Sequence, residues 1–138
     1  MVRRLDKESY AEGLRILARR DRRLASIIDI FGPAPMWTRK PGFSTLVYII
    51  LEQQVSLASA KATIKRLEKK LQTVSPENFL SLRTPTLKAI GFSRQKMAYC
   101  RGLAKAVAGG DLDLRAIGKM SDEDARQKLI AQKGIGPW

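Results

Sequence analysis

Apolar positions recur along this chain at helical spacing, in short runs separated by turn residues, and strand signals are nearly absent. Residues 7–20 and 22–31 read as two helices broken near Arg20-Asp21. Leu14, Leu17 and Ala18 mark the first, and Leu24, Ile27, Ile28 and Phe31 mark the second. Gly32-Pro33-Ala34-Pro35 stops the pair, and Pro41-Gly42 closes an irregular loop holding Trp37. Residues 43–54 are apolar on nearly every side, which fits a helix buried all round or a strand. A lone strand has no partner, so helix is the reading taken.

Residues 56–72 give the cleanest pattern. Leu57, Ala60, Ile64, Leu67 and Leu71 form one stripe, with Lys61, Lys65, Glu68 and Lys69 off it. Ser75-Pro76-Glu77 opens a short helix to about Arg83, and Thr84-Pro85 opens another that Gly91 stops. Ser93 caps a helix over 94–108, with Met97, Cys100, Leu103, Ala104 and Val107 inward, and Gly109-Gly110 ends it. Asp113 to Ile117 makes one further turn. Ser121-Asp-Glu-Asp124 caps a last helix to about Gln132, with Ala125, Leu129 and Ile130 inward. The predicted fold is all-α, a compact array of about eight short helices around one core. Its parts are N-terminal helices and loop over 1–42, a helical core over 43–132, and a final motif over 133–138.

Charge and composition narrow the chemistry. The 138 residues include 26 Lys and Arg against 13 Asp and Glu, a formal charge of +13, and no histidine. Such a balance points to a polyanionic partner, most simply nucleic acid. A single cysteine, Cys100, excludes an internal disulfide framework or a four-cysteine metal site, and the absence of histidine excludes imidazole bases and the usual zinc sites. No cofactor or metal is therefore expected. The longest apolar run, Leu46 to Leu51, has six residues, well short of the ~18 of a membrane span. No secretory signal follows Arg3 and Arg4, so a cytoplasmic location is expected, nucleoid-associated in a bacterium.

The sharpest local signal is Lys133-Gly134-Ile135-Gly136-Pro137-Trp138. Two glycines around an aliphatic residue allow a tight turn, and Pro137 suits a first helical position. Free amides around such a turn can hold a phosphate oxygen, provided no Cβ blocks the approach. Ile135 would anchor the turn in the core. On these residues alone, a helix stop with a trailing end fits equally well.

Three blocks together are more specific. Leu129-Ile-Ala-Gln-Lys-Gly-Ile-Gly-Pro-Trp138 resembles the helix-hairpin-helix of the DNA glycosylase superfamily that includes endonuclease III, and is most similar to the 3-methyladenine DNA glycosylase II branch. Phe43-Ser-Thr-Leu-Val-Tyr-Ile-Ile-Leu-Glu-Gln-Gln-Val-Ser56 resembles the helix leading into that family's Gln-Gln-Val-Ser element. Leu87-Lys-Ala-Ile-Gly-Phe-Ser-Arg-Gln-Lys96, followed by Tyr99, resembles its Gly-x-Ser-x-x-Lys helix start. The blocks stand in family order over about residues 20–138.

The resemblance implies a base-excision repair enzyme that flips an alkylated purine out of double-stranded DNA and hydrolyses its N-glycosidic bond. It implies backbone amides of Gly134 and Gly136 on a phosphate, with Lys133 and Ile135 in the same motif. Gln54 would enter the duplex beside Gln53, and Ser56 would cap the following helix. Trp138 matches a position that is a Schiff-base lysine in the lyase-competent branch, so a monofunctional enzyme is implied, with Trp138 stacking on the flipped base. Trp37 and Tyr48 are further candidates for the base pocket. Arg94, Lys96, Arg101 and Lys105 are candidates for DNA phosphates. Glu52 stands where many relatives carry a small residue and receives no catalytic role. The family's catalytic aspartate lies beyond the hairpin, and no acid of this sequence matches it. The chain is therefore expected to be the N-terminal part of a glycosylase with its C-terminal part missing, inactive by itself. A monomer with no obligate protein partner is expected. The alternatives are a catalytically inactive DNA-binding fragment, or an unrelated basic helical protein that meets nucleic acid or a protein partner.

Overall fold

The computed structural model describes residues 5–138, and all regular structure among them is helical. The order is α1 (Lys7–Arg20), α2 (Arg22–Phe31), α3 (Phe43–Glu52), α4 (Leu57–Leu71), α5 (Pro76–Leu80), α6 (Thr84–Ile90), α7 (Arg94–Ala108), α8 (Leu114–Ile117) and α9 (Asp122–Ile130). The helix starts are local hydrogen-bonding events. Ser56, Ser75, Ser93 and Ser121 each accept from the backbone amide three residues on, which satisfies a donor the helix leaves open. Asp21 both ends α1 and caps α2, so the break falls at the expected place. Pro76 takes the first turn of α5, where its missing N–H costs nothing.

Gly91 ends α6 with φ +118, a conformation that L side chains rarely adopt. A Cβ there would lie 2.9 Å from Thr63 Oγ1 and 3.0 Å from an Arg66 nitrogen. Arg66 Nε in turn donates to Ile90 O at 2.6 Å, so α4 closes the end of α6 through a side chain that needs the glycine's open space.

The chain forms two compact units, residues 1–39 and 40–138. The core lies in the second. Val47 and Ile50 of α3, Leu67 of α4, Phe79 of α5, Leu87 of α6 and Cys100 of α7 are all fully buried within it. Phe79 sits between Phe43 and Phe92, at ring-centroid distances of 6.2 and 5.6 Å. Leu112 joins from the loop after α7. Burial pushes the Cys100 thiol up to about 12, so it is an inert core sulfur.

In the first unit, α1 and α2 contain no buried residue. Their apolar stripes meet along a shallow groove lined by Leu14, Leu17, Leu24, Ile27, Ile28 and Phe31. Phe31 is 80% exposed. The expectation of one core shared by every helix therefore holds for α3 to α7, with Leu114 and Ile117 of α8 packed against it. Helix α9 has no buried residue, and the expected inward positions Ala125, Leu129 and Ile130 are only half-buried. Two details of the second unit also differ from the sequence reading. Leu57 heads the α4 stripe but is 68% exposed, because the cap at Ser56 places it in a first turn that projects past the packed region. Helix α3 stops at Glu52 rather than residue 54, and it is buried on one side only, with Ile49 outside. No helix among the described residues is long and apolar enough to cross a membrane.

Candidate nucleic-acid interface

Helix α3 ends because the backbone turns sharply. Gln53 is extended, at φ −65 and ψ 131, and Gln54 follows at φ +56. A left-handed glutamine costs on the order of 1–2 kcal/mol relative to ordinary backbone, so the surroundings must hold it there. The turn sends Gln54 and Val55 outward, and Ser56 then starts α4 by accepting from the Ser59 amide at 3.1 Å.

Lys96, in the first turn of α7, meets the backbone just before this turn. Its Nζ donates to Leu51 O and to Gln53 O, both at 2.8 Å. A cation on the last carbonyls of a helix meets the negative end of the helix dipole. Partial burial holds this ammonium below the ordinary lysine range. The side chain of the same Gln53 reaches the far end of the sequence, where its Nε2 donates to Gly134 O at 2.9 Å.

Gly134 has φ +95, and a Cβ on it would meet the Tyr99 ring at 2.6 Å. Tyr99 is itself set by Gln95, whose Nε2 donates to the phenol oxygen at 2.7 Å. The glycine is thus required twice, for its backbone angle and for the aromatic face laid against it. Ile135 packs on the core and its amide donates to Gln132 O at 3.1 Å. The amides of Gly134 and Gly136 donate to no acceptor among the described residues. Around Gly136 a Cβ would find open space. A turn with unpaired amides, flanked by the exposed Lys133, has the donor set of an anion-binding loop.

These pieces border one open cleft. Gln53, Gln54, Val55, Ser93, Gln95, Lys96, Tyr99 and residues 134–136 line it, and none of these is a carboxylate. The structure thus brings together Gln53, Gln54, Lys96, Gly134, Ile135 and Gly136 from three separate stretches of sequence. Ser56 and Lys133 are next to cleft residues, and Arg94 is exposed beside Ser93.

Other expected site residues fall elsewhere. Lys96 does not point freely outward, since two of its three N–H donors are committed to the α3 carbonyls. Arg101 is also committed, to Thr84 Oγ1 at 3.0 Å and Leu82 O at 3.2 Å, so it ties α7 to the α5–α6 junction. Lys96, two residues beyond Arg94, lies on the opposite side of α7, so the four basic residues do not make one face. Tyr48 is turned to α4, where its hydroxyl donates to Glu68 Oε1 at 2.8 Å. Burial and the Glu68 carboxylate push its phenol up to about 12. Trp37 belongs to the first unit and is 89% exposed, and Trp138 is fully exposed. The aromatic that does line the cleft is Tyr99, which in the sequence stood only as a flank of the third block. Its spacing three beyond Lys96 on α7 was the available signal.

Known proteins match this arrangement. The family model of the HhH-GPD superfamily base excision DNA repair protein matches residues 47–134, which include the α3–α4 turn, Lys96, Tyr99 and the start of the hairpin. A DNA-3-methyladenine glycosylase of Bacillus subtilis is 32% identical over 108 residues, covering 70% of this chain and 36% of that protein. A crystal structure of a DNA-3-methyladenine glycosidase from Bacillus halodurans superposes with a TM-score of 0.75 at 32% identity, covering 88% of this chain and 57% of that one. The Schizosaccharomyces pombe 3-methyladenine DNA glycosylase, solved in complex with abasic DNA, shares the fold with a TM-score of 0.74 at 24% identity, covering 86% of this chain and 61% of that one. The chain therefore spans between about a third and three fifths of the length of these relatives. The match removes the reading of an unrelated basic helical protein. The fold, the order of the blocks and the family model agree, and the chain belongs to the HhH-GPD superfamily of base excision DNA repair proteins.

Proposed function

We propose that this chain carries the DNA-engaging part of a monofunctional DNA glycosylase that acts on alkylated purines. The observation that carries the reading is the Gln53 Nε2–Gly134 O bond, which puts the outward turn at Gln54 and the unpaired amides of the hairpin on one cleft. In this reading the amides of Gly134 and Gly136 take a phosphate oxygen of a duplex, with Lys133 and Arg94 adding charge alongside. Gln54 fills the gap left by the flipped base, where an amide can hydrogen-bond the orphaned partner. Trp138 follows the hairpin with no amine to form a Schiff base, which favours hydrolysis without strand cleavage. The partner is double-stranded DNA.

A second reading is favoured by one specific feature, the absence of a carboxylate from the cleft lining. Cleavage through a cation-like sugar needs a carboxylate placed beneath it. These residues by themselves would grip damaged DNA without releasing the base.

The test has two arms. Fluorescence anisotropy should show salt-sensitive duplex binding, with an abasic-site duplex held about tenfold more tightly than an undamaged one. Base release from methylated duplex should stay at background. Equal binding of the two duplexes would remove the base-excision reading, and robust base release would remove the DNA-gripping one.

A further inference from the structure

We infer that Lys96 is a positioning residue that locks the α3–α4 turn and the hairpin into one DNA-reading edge, and that it is not itself a phosphate ligand. The inference rests on the proposed DNA-binding role and adds the device that sets the geometry of that site. One ammonium bridges Leu51 O and Gln53 O at 2.8 Å each, across 45 and 43 residues of sequence. The residue whose carbonyl it holds is the one whose side chain reaches Gly134 O, another 81 residues away. Gln53 is therefore fixed at both ends, by Lys96 through its backbone and to the hairpin through its amide. Gln54, strained at φ +56, leaves directly from this fixed point.

The chain of contacts has a mechanical consequence. Released from Lys96, the Gln53 carbonyl can rotate, and the neighbouring Gln54 can relax out of its left-handed conformation. Gln53 Nε2 then loses its fixed direction toward Gly134. The Gly134–Ile135 peptide is held on both sides, by Gln53 at its carbonyl and by Gln132 O at its N–H. Losing one side frees the peptide that lies between the unpaired amides of Gly134 and Gly136. A lysine suits the task because a single tetrahedral donor on a long stem can serve two carbonyls of one helix end.

The experiment compares duplex binding as a function of salt for the wild type, Lys96→Met, Lys96→Arg and Lys133→Ala. Methionine keeps the packing stem and removes the donors. Lys96→Met is expected to weaken duplex binding about tenfold with an unchanged salt slope, and Lys96→Arg to regain most of the loss. Lys133→Ala is expected to lower the slope by about one, as loss of a phosphate contact does. Amide hydrogen exchange at Ile135 should quicken in Lys96→Met and equally in Gln53→Met. Protection of the buried Cys100 from disulfide reagents confirms folding of each variant. A slope lowered by about one in Lys96→Met, or binding equal to the wild type, would overturn the inference. Failure of the wild type to bind any duplex would instead sink the proposed function. The exchange comparison would still decide the coupling, since unchanged exchange at Ile135 contradicts it. Should Lys96→Met not fold, Lys96→Gln decides: weaker binding with an unchanged salt slope and faster Ile135 exchange supports the lock, and a slope lowered by about one, or no change in binding or exchange, refutes it.

Discussion

The two units carry the same kind of helix and treat it differently. Helix α2 has Leu24, Ile27, Ile28 and Phe31 on one side, and α7 has Met97, Cys100, Leu103 and Ala104 on one side. Residues 97, 100, 103 and 104 of α7 are buried, whereas no residue of α2 is. An apolar stripe states which side of a helix seeks cover. It does not state how deeply that side is covered, which depends on how many other elements converge on it. In the second unit α3, α4, α5, α6 and α7 supply a shared core, and only there are side chains held firmly enough to build a cleft from three separate segments.

The largest test of this contrast is a pair of truncations. Phe79→Ala should cost about 3–5 kcal/mol, because it removes a fully buried ring between two others and leaves a cavity. Phe31→Ala should stay within about 0.5 kcal/mol, because its ring is already in water. Urea midpoints of the two variants measure both. Equal losses would mean that the α2 side is packed as well as the core.

Next in size is Gly134→Ala. It forces an L residue to φ +95 and drives a Cβ into the Tyr99 ring, for a loss of about 2–4 kcal/mol by thermal unfolding. A loss near zero would show that Tyr99 is free to move aside. Smaller again is the behaviour of Cys100. Its thiol, buried and raised to about 12, should ignore disulfide reagents until the second unit unfolds, and fast labelling of folded protein would contradict the core assignment.

The smallest effect concerns Tyr48. Its pKa in the folded chain is about 12 against 10.0 for the free side chain, so the neutral phenol is favoured by folding. That contribution is complete below pH 10.0 and is lost as pH rises toward 12. Ultraviolet titration of a variant with Tyr10 and Tyr99 replaced by Phe should show ionisation delayed to that range. An ordinary titration would break the Tyr48–Glu68 link between α3 and α4.

The fold was legible where it is written locally. The four serine caps, the proline of α5, the stop at Gly91 and the stripe of α7 each rest on residues within a turn or two of one another. The three sequence blocks located the cleft, because each block carries one of its walls. The joints between them were not legible. Lys96 reads as the lysine of the third block and a candidate for a DNA phosphate, and only the tertiary structure brings it to carbonyls more than 40 residues away. Arg101 also reads as a phosphate candidate and is likewise spent on a backbone carbonyl. Tyr48 reads as a pocket candidate because it is aromatic, and its hydroxyl is turned to Glu68. Tyr99 stands in the third block without a role of its own, because that role depends on a glycine 35 residues later, which has no Cβ to hold it off.

The neighbouring Gly136 separates folding from DNA binding. It has open space around it and an ordinary φ, so Gly136→Ala should leave the thermal midpoint unchanged. If its amide holds a DNA phosphate, the added methyl obstructs the approach, and the lost charge-assisted hydrogen bond is worth about 1.5 kcal/mol or more, roughly tenfold in affinity. The decisive measurement is therefore duplex-DNA affinity of Gly136→Ala beside its thermal midpoint. An unchanged midpoint with binding about tenfold weaker is the expected result. An unchanged midpoint with unchanged affinity would contradict the assignment of this hairpin as the phosphate-binding element.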